Sequence, residues 1–167
     1  YGIWVLMRPL PLSPASSPTP QVESGGKILL LAPKKDYQVG GNLPVTVGIT
    51  TGSKSTIGTD ISLHYDPKIL EVSAGAFEKG PLYSDYSKLL IDSQQGILQI
   101  SGFTPIGGKP VLGTGVFGKI NFKVKAAGKT RLTVNFTPAS TSDSNMFEAE
   151  DKDILEEVSN LEVTTVK

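Results

Sequence analysis

Asp60-Ile-Ser-Leu-His-Tyr-Asp-Pro-Lys-Ile-Leu-Glu-Val72 reads as a strand, a tight turn and a second strand. Ile61, Leu63 and Tyr65 are large and apolar at every second position, and a pleated strand with a side-chain period of two puts all three on one face. Asp60, Ser62 and His64 then point to the other face. Pro67 fixes its own φ and drives Asp66 out of the helical region, so the chain turns there. Ile69, Leu70 and Val72 resume an extended segment.

Moving outward, the same grammar recurs. Lys27 to Ala32 is a short apolar run, and Val45, Val47 and Ile49 alternate within Leu43 to Thr50. Lys88 to Asp92 and Gly96 to Ser101 flank Ser93-Gln-Gln95, a hairpin-like connection closed by Gly96. Val116 to Lys125 and Thr130 to Phe136 meet at Ala126-Ala-Gly128, with Ile120, Phe122 and Val124 expected to face Leu132, Val134 and Phe136 across a core. Ile154-Leu155 and Leu161 to Val166 close the chain. About nine strands with no amphipathic helix of ordinary length predict an all-β jelly-roll β-sandwich.

Several of these segments resemble cohesin domains, the β-sandwich modules with which bacterial scaffold and surface proteins capture dockerin modules. Asp60 to Val72 is similar to their third strand and following turn. Gly40-Gly-Asn-Leu-Pro-Val-Thr-Val47 resembles an early "G, then P-V-x-V" strand, and Gly96-Ile-Leu-Gln-Ile-Ser101 a central "G-x-I-x-I/F" strand. Gly115-Val-Phe-Gly-Lys-Ile-Asn-Phe-Lys-Val-Lys125 is similar to the "G-V-F-x-x-I-x-F-K-V" strand, the most specific of the matches. They run in the family's order from Gly26 to Lys167. The resemblance implies a sandwich that recognises dockerin helices with one sheet face. That face uses the outward residues of the strand that here carries Asp60, Ser62 and His64. The family's recognition aspartate falls on Asp60. Two departures stand beside it: Gly58 replaces a frequent asparagine, and Phe103-Thr-Pro105 stands where acidic residues are common.

Composition agrees with one domain over residues 26–167, preceded by an arm and linker over residues 1–25. A domain of that length buries about 70% of its unfolded surface without disulfides, so the absence of cysteine leaves the redox compartment open. Lys plus Arg equals Asp plus Glu at 16 each, which supplies no basic stripe for nucleic acid. Five prolines (Pro9, Pro11, Pro14, Pro18 and Pro20) among Ser, Thr and Ala read as a semi-stiff linker. The apolar start is too short to span a bilayer, which needs about 20 residues. It reads either as the end of a membrane anchor, with Trp4 at the interface, or as a donated strand formed by Ile3, Trp4, Val5, Leu6 and Met7.

Chemistry is sparse. The single histidine, His64, shares one strand with Ser62 and Asp60, and neighbours two apart on a strand cannot wrap a substrate as a catalytic triad does. Gly113-Thr-Gly-Val-Phe-Gly118 fits G-x-G-x-x-G but runs into a strand rather than a helix, so no dinucleotide site is expected. Nothing singles out a carboxylate pair among Glu78, Asp85 and Asp92. Asn135-Phe-Thr137 matches a glycosylation sequon, discounted because the cohesin resemblance implies a bacterial protein. Asp143, Asn145, Asp151 and Asp153 supply hard oxygens close in sequence, a candidate calcium site without EF-hand spacing; the alternative is a solvated turn bonding its own backbone.

The expected function is therefore a non-catalytic module on a bacterial surface or secreted protein, binding a dockerin-like partner through Asp60, Ser62 and His64 and requiring no cofactor. Two alternatives stay open. One is a structural subunit of an extracellular assembly, joined by its arm to a neighbouring identical chain. The other is a carbohydrate-binding module using Tyr83, Tyr86 and Phe103 against a polysaccharide.

Overall fold

In the computed structural model, which describes residues 24–167, the chain is all-β. Fourteen strands follow one another among the described residues: β1 (Gly26–Leu31), β2 (Asp36–Gln38), β3 (Asn42–Thr50), β4 (Gly58–His64), β5 (Leu70–Glu71), β6 (Phe77–Lys79), β7 (Asp85–Tyr86), β8 (Leu90–Asp92), β9 (Ile97–Phe103), β10 (Thr114–Val124), β11 (Gly128–Val134), β12 (Asn145–Phe147), β13 (Leu155–Ser159) and β14 (Leu161–Val166). One sheet runs β13-β1-β3-β10-β5, with β6 also on β10; the other runs β2-β14-β11-β4-β9-β7, with β12 on β4 and β8 on β9. The excess over the expected nine or so comes mainly from β2, β6, β7 and β12, each only two or three residues long. Segments that short carry no readable period. The candidate assembly arm, Ile3, Trp4, Val5, Leu6 and Met7, lies outside the described residues.

Alternation fills the space between the sheets. Leu43, Val45, Val47 and Ile49 of β3 are fully buried, as are Leu63 of β4 and Leu98 of β9. Ile120 and Phe122 of β10 oppose Leu132 of β11 from the other sheet, all at zero exposure, as their spacing predicts. Tyr65 packs edge-on against Phe122 with ring centroids 5.4 Å apart.

β10 departs from simple alternation. Val116 pairs with Gly48 and Gly118 with Val47, leaving Phe117 as the extra residue of a bulge. A bulge inserts one residue and resets the pleat. Phe117 and Ile120, three apart, consequently both point inward.

The Asp66-Pro67 turn forms as read. The Asp66 carbonyl accepts from the Ile69 and Leu70 amides, and its Oδ1 accepts from the Lys68 amide at 2.8 Å. The segment after it crosses to the other sheet, where Leu70 and Glu71 pair with Val124 and Lys123. The Ser93 to Gly96 connection also holds: Asp92 Oδ1 accepts from the Gln94 and Gln95 amides, and Gly96 takes φ 68°.

Two tyrosines lock the loops to the core. Tyr83 and Thr59 share a hydroxyl hydrogen bond of 2.7 Å, while the Tyr86 hydroxyl donates to the Phe117 carbonyl at 2.8 Å. Burial pushes the Tyr65, Tyr83 and Tyr86 phenols above their ordinary value. Below about pH 10 the phenol is neutral in both folded and unfolded chains. Above it the unfolded chain ionises first, so this contribution is lost as pH rises through the folded values. The thermal midpoint is therefore expected to fall above pH 10 and to fall less steeply in Tyr83→Phe. Superimposable alkaline profiles would contradict that assignment.

Candidate functional site

β4 lies inside the larger sheet with β9 on one edge, while β11 and β12 share the other. Residues directly opposite on antiparallel strands stand side by side on one face. Ile61 and Leu63 point into the core, so the alternate positions define rows on the outer surface. One row runs Phe147, Gly58, Phe103, Asp85; the next runs Asn145, Asp60, Ser101. A third runs Ser62, Gln99, Leu90, and a fourth Thr133, His64, Ile97, Asp92.

Of the three expected binding residues, His64 is exposed and Asp60 half-exposed, whereas Ser62 is only 3% exposed. Ser62 does lie on the outer side, but a loop roofs it. β11 leaves β4 at Asn135, whose amide donates to the Ser62 carbonyl, and the chain returns at Ser144 to begin β12. Ser144 Oγ accepts from the Ser62 amide at 2.9 Å and donates to its carbonyl at 3.2 Å. Alternation within β4 predicts orientation but not a cover supplied from more than seventy positions downstream.

The loop shapes a polar groove beside Asp60, lined by Gln99, Ser101, Thr141, Ser142 and Asp143. It is self-braced: Asp143 Oδ2 accepts from the Thr137 amide, and Asn145 Nδ2 donates to the Asp143 carbonyl at 2.9 Å.

The four candidate calcium ligands divide between two places. Asp143 and Asn145 belong to the loop and to the Asp60 row. Asp153 Oδ1 instead accepts from the Met146 and Leu155 amides at 2.9 and 3.0 Å, and exposed Asp151 closes the turn between Glu148 and Lys152. The Oδ1 atoms of Asp143 and Asn145 are buried without a hydrogen-bond partner. Among the described residues no three histidine, aspartate or glutamate side chains converge.

The aromatic strip expected for a polysaccharide surface does not assemble. Tyr83 is 4% exposed and Tyr86 packs on Phe117 at 5.2 Å, because both phenols serve the core; only Phe103 of the three is exposed. The carboxylates weighed as catalytic pairs are also separated. Glu78 lies on the smaller sheet and accepts from Asn121 Nδ2, while Asp85 and Asp92 stand on β7 and β8 of the larger one.

Sequence reading missed Gln99, Leu90 and the pairing of Phe147 with Gly58. Alternation of Leu98 and Ile100 with Gln99 and Ser101 would have revealed the first; the others required the strand order.

Comparison with known proteins agrees with the geometry. The cohesin domain family matches residues 30–164, and the chain belongs to that family. The cohesin of a type II cohesin–X-dockerin complex from Acetivibrio cellulolyticus superposes with a TM-score of 0.69 at 16% identity, covering 84% of this chain and 99% of that one. A type I cohesin–dockerin complex from Clostridium thermocellum gives 0.68 at 14% identity, covering 86% and 100%. A gellan lyase from a Bacillus species is 31% identical over 148 residues, 82% of this chain; the chain spans only 6% of that enzyme's length.

Proposed function

We propose that this chain is a non-catalytic module that captures a dockerin or dockerin-like helical partner on the outer face of its larger sheet. The observation that carries the reading is the placement of Asp60. It stands near the middle of that face, half-exposed, beside a polar groove and flanked by outward positions of β9 and β12. The sequence resemblance, which implies a recognition aspartate at this position, supports the reading. Solved relatives come from a cellulosome and from scaffoldins of Acetivibrio cellulolyticus, which supports a place outside a bacterial cell for this chain as well.

Calorimetry against a panel of dockerin modules tests the reading. Micromolar or tighter binding is expected from at least one, with Asp60→Lys weakening it by about 2–5 kcal/mol, the usual cost of leaving a buried interfacial charge without its partner. The thermal midpoint should not move, because Asp60 lies outside the core. Undiminished binding by Asp60→Lys would remove Asp60 from the site, and silence across the panel would overturn the proposed partner.

A further inference from the structure

Gly58 is the one outward position of β4 with no side chain, and aromatics stand on both sides of it. Phe103 of β9 and Phe147 of β12 are each its direct cross-strand partner. Gly102 and Met146, next to them, point inward and are buried, so both phenyl rings rise from the outer face. Adjacent strands are about 4.8 Å apart, which places the two Phe backbones roughly 10 Å from each other. Phe103 is 44% exposed and Phe147 half-buried. The result is a notch with apolar walls and a glycine floor.

One row along β4, about 6.7 Å away at two strand residues, stands Asp60 beside the groove that Asp143 helps line. Asp85 ends the Phe103 row, so three acids, Asp60, Asp85 and Asp143, stand at this end of the face, while Asp92 lies three rows away beside His64. Lys129 and Arg131 of the same sheet lie across on β11, where Arg131 meets Glu162 at 3.9 Å, and exposed Lys88 stands between β7 and β8. The smaller sheet carries Lys27, Lys119 and Lys123 in exposed or half-exposed positions.

We propose that the Gly58 notch receives a large apolar side chain of a partner helix, while a lysine or arginine four residues away on that helix reaches the Asp60–Asp143 groove. A helix rises 1.5 Å per residue, so positions i and i+4 are about 6 Å apart, close to the spacing of the two rows. A helix lying along β4 thus presents both side chains together. The inference rests on the docking face proposed above and narrows it: the partner is a cationic helix anchored by an apolar residue.

The floor of the notch admits a test that leaves the fold intact. A Cβ at Gly58 would meet the Gly102 carbonyl oxygen at 3.5 Å and Phe103 Cβ at 3.7 Å, ordinary contact distances. Gly58→Leu fills the notch without touching the core. Dockerin modules displayed on phage and selected on the wild-type protein are the probe. Selected helices are expected to carry a large apolar residue and Lys or Arg four apart. Gly58→Leu should weaken the best binder by more than about tenfold, the effect typical of losing a buried anchor. Phe103→Ala, which removes one exposed wall, should weaken it as well. Binders lost in Asp60→Lys but unaffected by Gly58→Leu and Phe103→Ala would overturn the notch while leaving the docking face standing. Recovery of no binder would overturn the docking face itself.

Discussion

Phe117→Ala is expected to lower folding stability by about 3–5 kcal/mol, the range for deleting a fully buried phenylalanine side chain. Phe117 is the bulged residue of β10 and has no exposed surface. Its ring lies 5.2 Å from Tyr86, 5.9 Å from Phe77 and 6.0 Å from Tyr83, in tilted or edge-on arrangements. Its carbonyl accepts from the Tyr86 hydroxyl and the Gly80 amide. Beneath it a Cβ on Gly102 would come within 2.7–2.9 Å of Phe117, Tyr83 and Tyr86, so the strand is glycine there to let three rings close over it. Little can collapse into the void, because two of the three rings around it, Tyr83 and Tyr86, are held by their hydroxyls. A urea titration measures the loss. The same variant should loosen β7, which Tyr83 and Tyr86 tie down, and with it the Asp85 end of the candidate docking face. A loss below about 1 kcal/mol would mean the cluster relaxes freely, contrary to the close packing of ordinary cores.

Gly96→Val, at a buried glycine in the turn before β9, is expected to be strongly disruptive. Gly96 sits at φ 68°, and that backbone conformation alone costs a non-glycine residue about 1–3 kcal/mol. Space makes matters worse. A Cβ at Gly96 would overlap the Tyr65 carbonyl oxygen and approach Pro67 Cδ at 2.8 Å. The Gly96 carbonyl also accepts from the Tyr65 amide at 2.7 Å, so the turn before β9 is interlocked with the turn after β4. A valine therefore forces apart the two strands that carry Asp60 and Gln99. Gly107→Ala is the matching control: its φ is 80°, but nothing lies within 4 Å of the added Cβ. Thermal unfolding should show a small drop for Gly107→Ala and a far larger one for Gly96→Val. Equal drops would leave the backbone conformation as the sole cost and remove the steric argument.

The fold was legible wherever one residue in two is apolar and the partner strand is long. β3, β4, β9 and the second half of β10 alternate cleanly, and the Asp66-Pro67 and Ser93 to Gly96 turns announce themselves through proline, aspartate and glycine. The bulge at Phe117 was not legible, since Val116, Phe117 and Ile120 fit no single period until the pairing with Gly48 and Val47 is known. Nor were the parallel pairings of β1 with β13 and β2 with β14, which join opposite ends of the chain. For the site, alternation gave the direction of Asp60, Ser62 and His64. It could not show that Ser144 would cap Ser62, nor that Phe147 would arrive beside Gly58. Tyr83 and Tyr86 look like surface aromatics in sequence, three apart in a polar stretch. Their burial follows from Thr59, Phe117 and Gly102, all distant along the chain.

The central claim is that a partner docks on the outer face of the larger sheet at Asp60. Amide chemical-shift mapping during titration with a dockerin selected from the panel tests it most directly. The account predicts that perturbations concentrate on Gly58, Asp60, Gln99, Ser101, Phe103 and the loop at Thr141 to Asp143, with Thr46, Lys119 and Asn121 of the smaller sheet unmoved. Perturbations centred on Thr46 and Lys119 with a silent β4 and β9 would contradict it.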